Sequence, residues 1–289
     1  MFEGFEQRTV TTNEVTINLI QGGSGPAVLL LHGYPQTHVI WHRVAPILAE
    51  RFTVICPDLR GYGDSSKPPG DPDHVAYSKR VMAQDQVEVM QSLGFDRFVV
   101  VGHDRGGRVA HRMALDHANK VSHLAVLDIV PTRTMYATID QERATNVWRF
   151  FFLIQPDPFP EHLIGADPDF YLRWTLDHWC GTPGALTDEA VAEYRRCFDA
   201  ATIHATCEDY RAGATVDLVH DQADQERKVS CPLLALWSRT GSGSLYDVLS
   251  EWRERRAGSV RGRALDCGHF LPEERPEETT AEIAAFLSE

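Results

Sequence analysis

The sequence predicts an α/β protein in which a mostly parallel sheet of eight strands is flanked by helices and interrupted by one helical insertion. Three observations support this prediction. Short apolar runs of strand length recur along the chain, helix-like stretches separate them, and the alternation stops for about a hundred residues before it resumes. Such alternation is typical of a parallel sheet whose two faces are both covered by helices.

The predicted strands differ in how deeply they are buried. Residues 15–19 alternate apolar and polar side chains, which is typical of a half-buried strand. The later runs are largely apolar, which indicates parallel strands buried on both faces. They span residues 27–31, 52–56, 98–101, 124–127, 232–237 and 263–265. Helices are predicted at residues 78–93, 106–117 and 276–287.

The interruption in this pattern predicts a helical cap. Residues 132–228 contain little strand character, many aromatic side chains and several prolines that break helices. We therefore divide the chain into a first core segment of residues 1–131, a cap of residues 132–228 and a second core segment of residues 229–289. An insertion after the sixth strand is expected to lie over the carboxyl edge of the sheet, where ligands bind in such folds.

Composition argues against several classes of function. The formal net charge of -13 disfavours nucleic acid and anionic membranes as partners. The six cysteines form no Cys-x-x-Cys motif, so no metal is expected. No apolar run is long enough to span a bilayer, and the acidic N-terminus does not resemble a signal peptide. We expect a cytoplasmic protein that needs no cofactor.

A strand-turn-helix segment at residues 99–108 carries the strongest functional signal. An apolar strand runs into Gly102-x-Asp104-x-Gly106 and a helix follows, which is the context of a nucleophile elbow. The elbow predicts a strained backbone at Asp104 and a side chain that points into a cavity. A carboxylate there can displace a leaving group from saturated carbon and form an ester, whereas a serine would indicate acyl transfer. The alternative is that Asp104 only caps the helix.

Hydrolysis of such an ester needs a general base and donors for the oxyanion. His269 follows the last predicted strand, and its place in the chain order favours it as the base. The backbone N–H groups of Tyr34 and Arg105 are the expected oxyanion donors. The usual position of the acid, residues 238–243, contains no carboxylate. Asp128, at the end of the sixth strand, can reach a histidine near the nucleophile and is a candidate for the acid that orients the imidazole, with a helix cap or a hinge of the cap as the alternative.

Two arginines after the nucleophile predict an anionic small-molecule substrate. Arg105 and Arg108 are three residues apart at the start of a helix and therefore share one of its faces. Their guanidinium groups suit bidentate capture of a carboxylate, and they favour the ionised form of Asp104. The alternative is that Arg108 forms a structural ion pair, for instance with Asp128.

Three segments resemble the epoxide hydrolase and dehalogenase branch of the α/β hydrolases. They are His-Gly-Tyr-Pro at 32–35, Pro-Asp-Leu-Arg-Gly-Tyr-Gly-Asp-Ser-Ser at 57–66 and Gly-His-Asp-Arg-Gly-Gly at 102–107. The opening residues 1–5 and the cap segments 164–169 and 209–213 are most similar to the fluoroacetate (haloacetate) dehalogenases. The resemblance covers nearly the whole chain.

This resemblance implies a fold, a reaction and a set of roles. The fold is the α/β-hydrolase fold with a cap, and the assembly is a homodimer. The reaction is hydrolysis of a short 2-haloacid to a 2-hydroxyacid through an aspartyl ester on Asp104. Asp128 is the implied acid, and Arg105 and Arg108 are the implied clamp for the substrate carboxylate.

The halide pocket is where the sequence departs from the pattern of these dehalogenases. The resemblance implies a His-Trp pair and a cap tyrosine as halide ligands. The tyrosine matches Tyr210, but the pair falls at Arg149 and Phe150, and neither residue matches. Phe150 cannot donate a hydrogen bond, while the indole N–H of Trp148 or Trp179 can replace the missing donor. We expect chloroacetate and bromoacetate to be turned over and fluoroacetate only weakly, because fluoride needs the strongest hydrogen bonding as it leaves.

Two other functions stay open at this point. An epoxide hydrolase would use the same aspartate and histidine, with two of Tyr171, Tyr194 and Tyr210 to protonate the epoxide oxygen. The arginine pair disfavours it, because an uncharged epoxide has no use for an anion clamp. A ligand-binding protein on the same fold is the non-enzymatic alternative.

Overall fold

One sheet of eight strands forms the centre of the structure, a computed structural model that describes residues 1–255 and 258–288. The strands are β1 (Glu6–Thr11), β2 (Thr16–Gly22), β3 (Ala27–Leu31), β4 (Thr53–Pro57), β5 (Phe98–His103), β6 (Val121–Leu127), β7 (Leu233–Ser238) and β8 (Val260–Leu265). Their order across the sheet is β1-β2-β4-β3-β5-β6-β7-β8. Strand β2 pairs antiparallel with β1 and β4, and the pairings from β4 through β8 are parallel. The predicted fold class is confirmed.

Alternate side chains of the central strands enter two apolar layers, one on each face of the sheet. In β3, Leu29 and Leu31 belong to one layer, whereas Val28 and Leu30 belong to the other. All four are fully buried, as expected for a parallel strand with helices on both sides. Polar side chains that serve a function are therefore expected at the ends of these strands.

The helices of the core cover the two faces of the sheet. They are α1 (Ala45–Leu48), α2 (Lys79–Ser92) and α3 (Arg105–Asp116) in the first core segment, and α12 (Val248–Arg255), α13 (Leu271–Glu274) and α14 (Pro276–Phe286) in the second. Short 3-10 helices occupy His38–Trp41, Val75–Tyr77 and Ser242–Leu245. Helix α2 begins where the side chain of Ser78 accepts a hydrogen bond from the backbone N–H of Val81, as an N-cap does.

Eight helices connect β6 to β7, in the segment where we predicted the cap. They are α4 (Thr132–Ala137), α5 (Gln141–Asn146), α6 (Trp148–Leu153), α7 (Phe159–Ala166), α8 (Pro168–Trp179), α9 (Asp188–Cys197), α10 (Ala200–Ala214) and α11 (Val216–Ala223). Four of them begin at a capping side chain, which belongs to Asp140, Asp167, Thr187 or Asp199. Helix α10 is largely buried, because it packs against α6, α7 and α11 and against the 3-10 helix Val75–Tyr77 of the core. The division of the chain into core and cap domains at residues 131/132 and 228/229 stays a prediction.

None of the helices described is both long enough and apolar enough to cross a membrane.

Candidate active site

The turn between β5 and α3 holds Asp104 in a strained conformation. Its backbone has φ 48° and ψ -117°, a region that L-amino acids rarely adopt. A side chain at Gly102 or Gly106 would place a Cβ 2.4 or 2.3 Å from neighbouring backbone atoms, so both positions require glycine. Although Asp104 immediately precedes α3, its side chain accepts no hydrogen bond from the first turn. The structure therefore does not support the alternative in which Asp104 serves as a helix cap.

The carboxylate of Asp104 lies against the loop that follows β3. The backbone N–H of Tyr34 donates a 3.0 Å hydrogen bond to Oδ1 of Asp104. The preceding residue, Gly33, is so close that an added Cβ would lie 2.4 Å from the Cβ of Asp104. Burial raises the pKa of Asp104, but the charges of His269, His103 and Arg105 and the Tyr34 N–H together lower it below its usual value. The predicted nucleophile is thus ionised, and one predicted oxyanion donor contacts it.

His269 lies between the two other predicted catalytic residues. Its Nδ1 is 2.6 Å from Oδ2 of Asp128, and its Nε2 is 3.9 Å from Oδ2 of Asp104. Burial lowers the pKa of His269, but the hydrogen bond and the charge of Asp128, helped by Asp104, raise it overall. No described group forms a hydrogen bond with Nε2, so this nitrogen is available to accept a proton.

Asp128 reaches His269 from the end of β6 because β7 leaves room for it. Asp128 has φ 52°, and the backbone N–H of Ser238 at the end of β7 donates a 2.9 Å hydrogen bond to its Oδ1. An added Cβ at Gly243 would lie 2.8 Å from the same oxygen. The loop that usually supplies the acid therefore instead forms a glycine-lined space for a carboxylate from the neighbouring strand.

The structure places the two predicted clamp arginines in different environments. Nε and Nη2 of Arg105 donate hydrogen bonds of 2.9 and 2.8 Å to the two carboxylate oxygens of Asp209 in α10. Lys79 forms an ion pair with the same carboxylate, and the ring of Tyr210 covers the guanidinium at 4.1 Å. Two of the three guanidinium nitrogens of Arg105 are therefore bound by Asp209 of the cap. The positions of the two arginines in the sequence did not predict this difference between them.

Arg108 is the cation that faces the cavity. Its Nη1 donates to the carbonyl of Val130 at 3.2 Å and to the hydroxyl of Thr132 at 2.9 Å. Its Nε is buried without a hydrogen-bond partner, and no carboxylate of the described chain forms an ion pair with it. Burial and the charge of Arg105 lower the pKa of Arg108, although Asp104 partly counters them. The alternative of a structural ion pair with Asp128 is wrong, because Asp128 pairs with His269.

A cavity of about 290 Å³ opens beside these residues. Its lining combines the predicted catalytic groups with side chains from the cap and from the loop after β7. The lining residues are Asp104, Arg108, Asp128, Met135, Asn146, Val147, Phe150, His178, Trp179, Gly181, Thr240, Gly241, Ser242, Gly268 and His269. Met135, Asn146, His178 and Thr240 were not predicted, since nothing in their local sequence distinguishes them from surface residues.

The four predicted halide-pocket residues lie in different positions relative to this cavity. Phe150 and Trp179 line it, and the indole ring of Trp179 is 4.9 Å from the imidazole of His269. Tyr210 is fully buried, with a hydroxyl that has no hydrogen-bond partner in the described chain. Arg149 is fully buried, and its guanidinium lies 4.5 to 4.8 Å from the indole rings of three tryptophans. The last two residues do not contribute to the cavity wall.

One group in the cap has the donor atoms of a metal site. Ligand atoms of Asp157, Glu161 and His204 lie within 4.8 Å of one another. Arg211 donates hydrogen bonds of 2.7 and 3.0 Å to the two oxygens of Glu161, so a cation already occupies that carboxylate. These residues therefore fit a salt-bridge network better than a metal ion.

The sequence matches the model of the α/β-hydrolase fold over residues 26–276, so the chain belongs to the α/β-hydrolase fold family. It is also 50% identical over 293 aligned residues to fluoroacetate dehalogenase of Burkholderia sp, in an alignment that covers 100% of this chain and 96% of that protein. This similarity assigns the chain to the fluoroacetate dehalogenase-like group of the family, and the resemblance stated from the sequence is confirmed.

Other relatives support the same fold and the neighbouring branch. A solved structure of an α/β hydrolase from Nostoc sp PCC 7120 is 60% identical, superimposes with a TM-score of 0.98, and covers 100% of this chain and 99% of its own. Soluble epoxide hydrolase of Corynebacterium sp is 36% identical over 270 residues, which cover 92% of this chain and 91% of that protein.

Proposed function

We propose that the protein hydrolyses short 2-haloacids to 2-hydroxyacids through an ester on Asp104. The enzyme class, a hydrolase that acts on carbon–halide bonds, follows from the similarity over the full chain to a fluoroacetate dehalogenase. The choice of an acid as substrate rests on one observation. A buried arginine without a carboxylate partner, Arg108, lines the same cavity as an ionised aspartate in a nucleophile elbow.

Arg108 is the main anchor for the substrate carboxylate in this proposal. A guanidinium binds a carboxylate through two parallel hydrogen bonds, and such bonds are strong in a buried site. Arg105 is held by Asp209 through Nε and Nη2, which leaves Nη1 as its remaining donor. Arg105 therefore contributes positive charge and at most one hydrogen bond, and Arg108 sets the position of the carboxylate.

The first chemical step is displacement of the halide by Asp104. Because Oδ1 accepts the Tyr34 N–H, Oδ2 is the oxygen that attacks carbon 2. The new carbon–oxygen bond forms as the carbon–halogen bond breaks, and the halide leaves with the bonding electron pair. A strained, buried and ionised aspartate suits this step, since it has few hydrogen bonds to lose.

The second step is hydrolysis of the ester. His269 takes a proton from water through Nε2, and the resulting hydroxide attacks the carboxyl carbon of Asp104. The negative charge that develops on Oδ1 is stabilised by the Tyr34 N–H, with the N–H of Arg105 at the start of α3 as the second donor. Asp128 stabilises the imidazolium. As the intermediate collapses, the bond between Cγ and Oδ2 of the ester breaks, the leaving oxygen takes the imidazolium proton to give the 2-hydroxyacid, and the new carboxyl group of Asp104 loses its proton to solvent.

Weak defluorination is part of this proposal. Phe150 stands on the cavity wall where a hydrogen-bond donor is expected, and it has none to offer. Trp179 lines the same cavity, and in this proposal its indole N–H replaces the missing donor. Chloride and bromide tolerate such a pocket better than fluoride, because they leave more easily and depend less on hydrogen bonds as charge develops.

Epoxide hydrolysis is the competing function, and it is favoured by the 36% identity to a soluble epoxide hydrolase. It requires two tyrosines that donate to the epoxide oxygen. None of the candidates Tyr171, Tyr194 and Tyr210 lines the cavity that holds Asp104, and the hydroxyl of Tyr194 instead donates to Glu273. An uncharged epoxide would also leave Arg108 buried without a counter-charge.

Release of halide from chloroacetate and from fluoroacetate, measured in parallel, tests the proposal. Asp104→Asn is the matched control, because it keeps the shape of the side chain and removes the nucleophile. We expect chloride release that depends on Asp104 and little fluoride release. Equal rates with both acids would refute our reading of Phe150, and release of neither would refute the haloacid assignment.

A further inference from the structure

Glu274 in α13 lies directly beside the loop that carries His269, and no step described above uses it. The side chain is buried. Its Oε2 accepts a 2.8 Å hydrogen bond from the backbone N–H of Gly268, and its Oε1 accepts one of 2.9 Å from the N–H of Phe270. The carboxylate therefore binds the residues immediately before and after His269.

The same carboxylate also binds the cap. Oε2 of Glu274 accepts a third hydrogen bond, of 2.9 Å, from the backbone N–H of Gly181. Two residues earlier in the cap, the carbonyl of Trp179 accepts a 2.9 Å hydrogen bond from the backbone N–H of His269. Three consecutive N–H groups of the histidine loop, at residues 268–270, therefore take part in this contact. The middle one binds the cap segment 179–181 directly, and the outer two bind Glu274, which in turn binds the cap.

The two backbones are close enough that side chains would separate them. An added Cβ at Gly181 would lie 2.6 Å from the N atom of Gly268, and an added Cβ at Gly268 would lie 2.3 Å from the N atom of Gly181. Distances under 3 Å require the backbone to move. The contact between cap and loop is therefore a backbone-to-backbone junction with Glu274 at its centre.

We propose that Glu274 is a positioning residue that fixes the histidine loop against the cap, so that His269 stays aligned between Asp128 and Asp104. The proposal rests on the proposed role of His269 as the base. The position of the cap on the core and the orientation of His269 then both depend on the carboxylate of Glu274. His269 is fully oriented only when the cap segment 179–181 is bound to the histidine loop.

A carboxylate suits this position because three donors converge on it. Its two oxygens are both acceptors, whereas a glutamine at the same place keeps one oxygen and presents an N–H₂ group to a backbone N–H. An aspartate keeps the charge, but it is one methylene shorter and cannot reach all three N–H groups. Glutamine and aspartate therefore separate the effect of charge from the effect of reach.

The neighbouring residue Glu273 provides the matched control. Its oxygens accept hydrogen bonds from the Tyr194 hydroxyl at 3.0 Å and from the Gln36 amide at 2.5 Å, and its carboxylate does not bind the histidine loop. Burial raises the pKa of Glu273 to about 8, so the group is largely neutral at pH 7. Glu273→Gln therefore changes a buried glutamate next to Glu274 with little change in charge.

Titration of His269 by NMR tests the proposal without any substrate. The protein is labelled with ¹⁵N in the histidine rings, and the His269 signal is identified by its loss in His269→Gln. The charged and titratable groups around this ring are Asp128, Asp104, His103 and Glu274. We expect Glu274→Gln and Glu274→Asp both to lower the pKa of His269 towards its usual value, because the contact with Asp128 loosens, and Glu273→Gln to match wild type. An unchanged titration in Glu274→Asp would overturn the proposal, since charge alone would then explain Glu274→Gln.

A second readout follows the covalent intermediate. During turnover of a haloacid, Glu274→Gln is expected to accumulate more ester on Asp104 than wild type, because hydrolysis slows more than alkylation. Gly181→Ala disturbs the same junction from the cap side and is expected to shift the partition in the same direction, which keeps the test valid if Glu274→Gln does not fold. If wild type releases no halide from any haloacid, the proposed function fails, and the NMR comparison still decides the role of Glu274.

Discussion

Replacement of Arg108 with methionine is expected to remove most of the activity and to leave the free energy of unfolding nearly unchanged. Arg108 lies in the cavity wall and is 4% exposed, with no carboxylate partner in the described chain. Two hydrogen bonds between charged groups contribute about 1.5–3 kcal/mol each. Their loss corresponds to a decrease in kcat/KM of roughly 10²- to 10⁴-fold.

Stability is expected to respond differently from activity, because a buried cation without an ion-pair partner is costly to the fold. Removing the guanidinium eliminates that cost, while the loss of the hydrogen bonds to Val130 and Thr132 offsets part of the gain. Arg105→Met is the contrasting variant, since it breaks the buried pair with Asp209. Removing one partner of a buried ion pair costs about 3–5 kcal/mol when the other charge is left unpaired, and the remaining pair of Asp209 with Lys79 places the expected cost at the lower end of this range.

The assay combines steady-state chloride release with thermal unfolding of both variants. We expect Arg108→Met to lose kcat/KM at an unchanged melting temperature, and Arg105→Met to melt at a clearly lower temperature. Two results would refute the reasoning. One is a loss of stability in Arg108→Met as large as that in Arg105→Met, and the other is a kcat/KM that falls by less than about tenfold.

Three further predictions concern the base, its pKa and the halide pocket. His269→Ala is expected to accumulate an ester on Asp104 that intact mass spectrometry detects, and a substrate-treated variant of unchanged mass would contradict the two-step mechanism. Because the pKa of His269 is raised by Asp128 and the base must be neutral, kcat should fall as the pH drops through a value above 6.5. Asp128→Asn should lower kcat and move this limb to lower pH, whereas a limb that stays in place would argue that Asp128 does not set the pKa. Arg149→His combined with Phe150→Trp is expected to increase fluoride release relative to chloride release, with each single variant as control, and an unchanged ratio would show that these positions do not limit defluorination.

Strands could be predicted from the sequence wherever a run of apolar residues indicates that the segment is buried. The continuous apolar runs of β3 and β5 predicted strands covered on both faces, and both are fully buried. Strand β1 has no such signal, because Val10 is its only buried residue. It joins the sheet through backbone pairing with β2, and backbone hydrogen bonds are independent of side-chain type.

The candidate site was predictable where a residue's position relative to a strand end determines its location. Asp104, Asp128 and His269 follow the ends of the parallel strands β5, β6 and β8, and the structure brings them together. Their catalytic roles stay proposals. The spacing of Arg105 and Arg108 predicted a shared helix face, but it did not predict how each side chain is used.

Contacts between distant parts of the chain account for what was not predicted. Asp209, which binds Arg105, lies 104 residues further along the chain, and Glu274 binds Gly181 across 93 residues. Neither pairing has a local pattern, because the partner depends on how the cap is seated on the core. Asp209 lies in the segment 209–213, which resembles the dehalogenases. That resemblance was the one feature of the sequence that pointed to this residue.

The segment that attaches the cap also constrains how such enzymes can be recombined. From the end of β6 to the first residue of α4, the chain provides Asp128 to the imidazole, and then the carbonyl of Val130 and the hydroxyl of Thr132 to Arg108. A chimera that takes its cap from a relative therefore needs its first crossover after Thr132, since an earlier one would exchange the acid and the support of the anion anchor together with the cap. The loop after β7 carries no catalytic carboxylate, and a crossover there has to preserve the space that Gly243 leaves for Asp128 and the part of the cavity wall that residues 240–242 form.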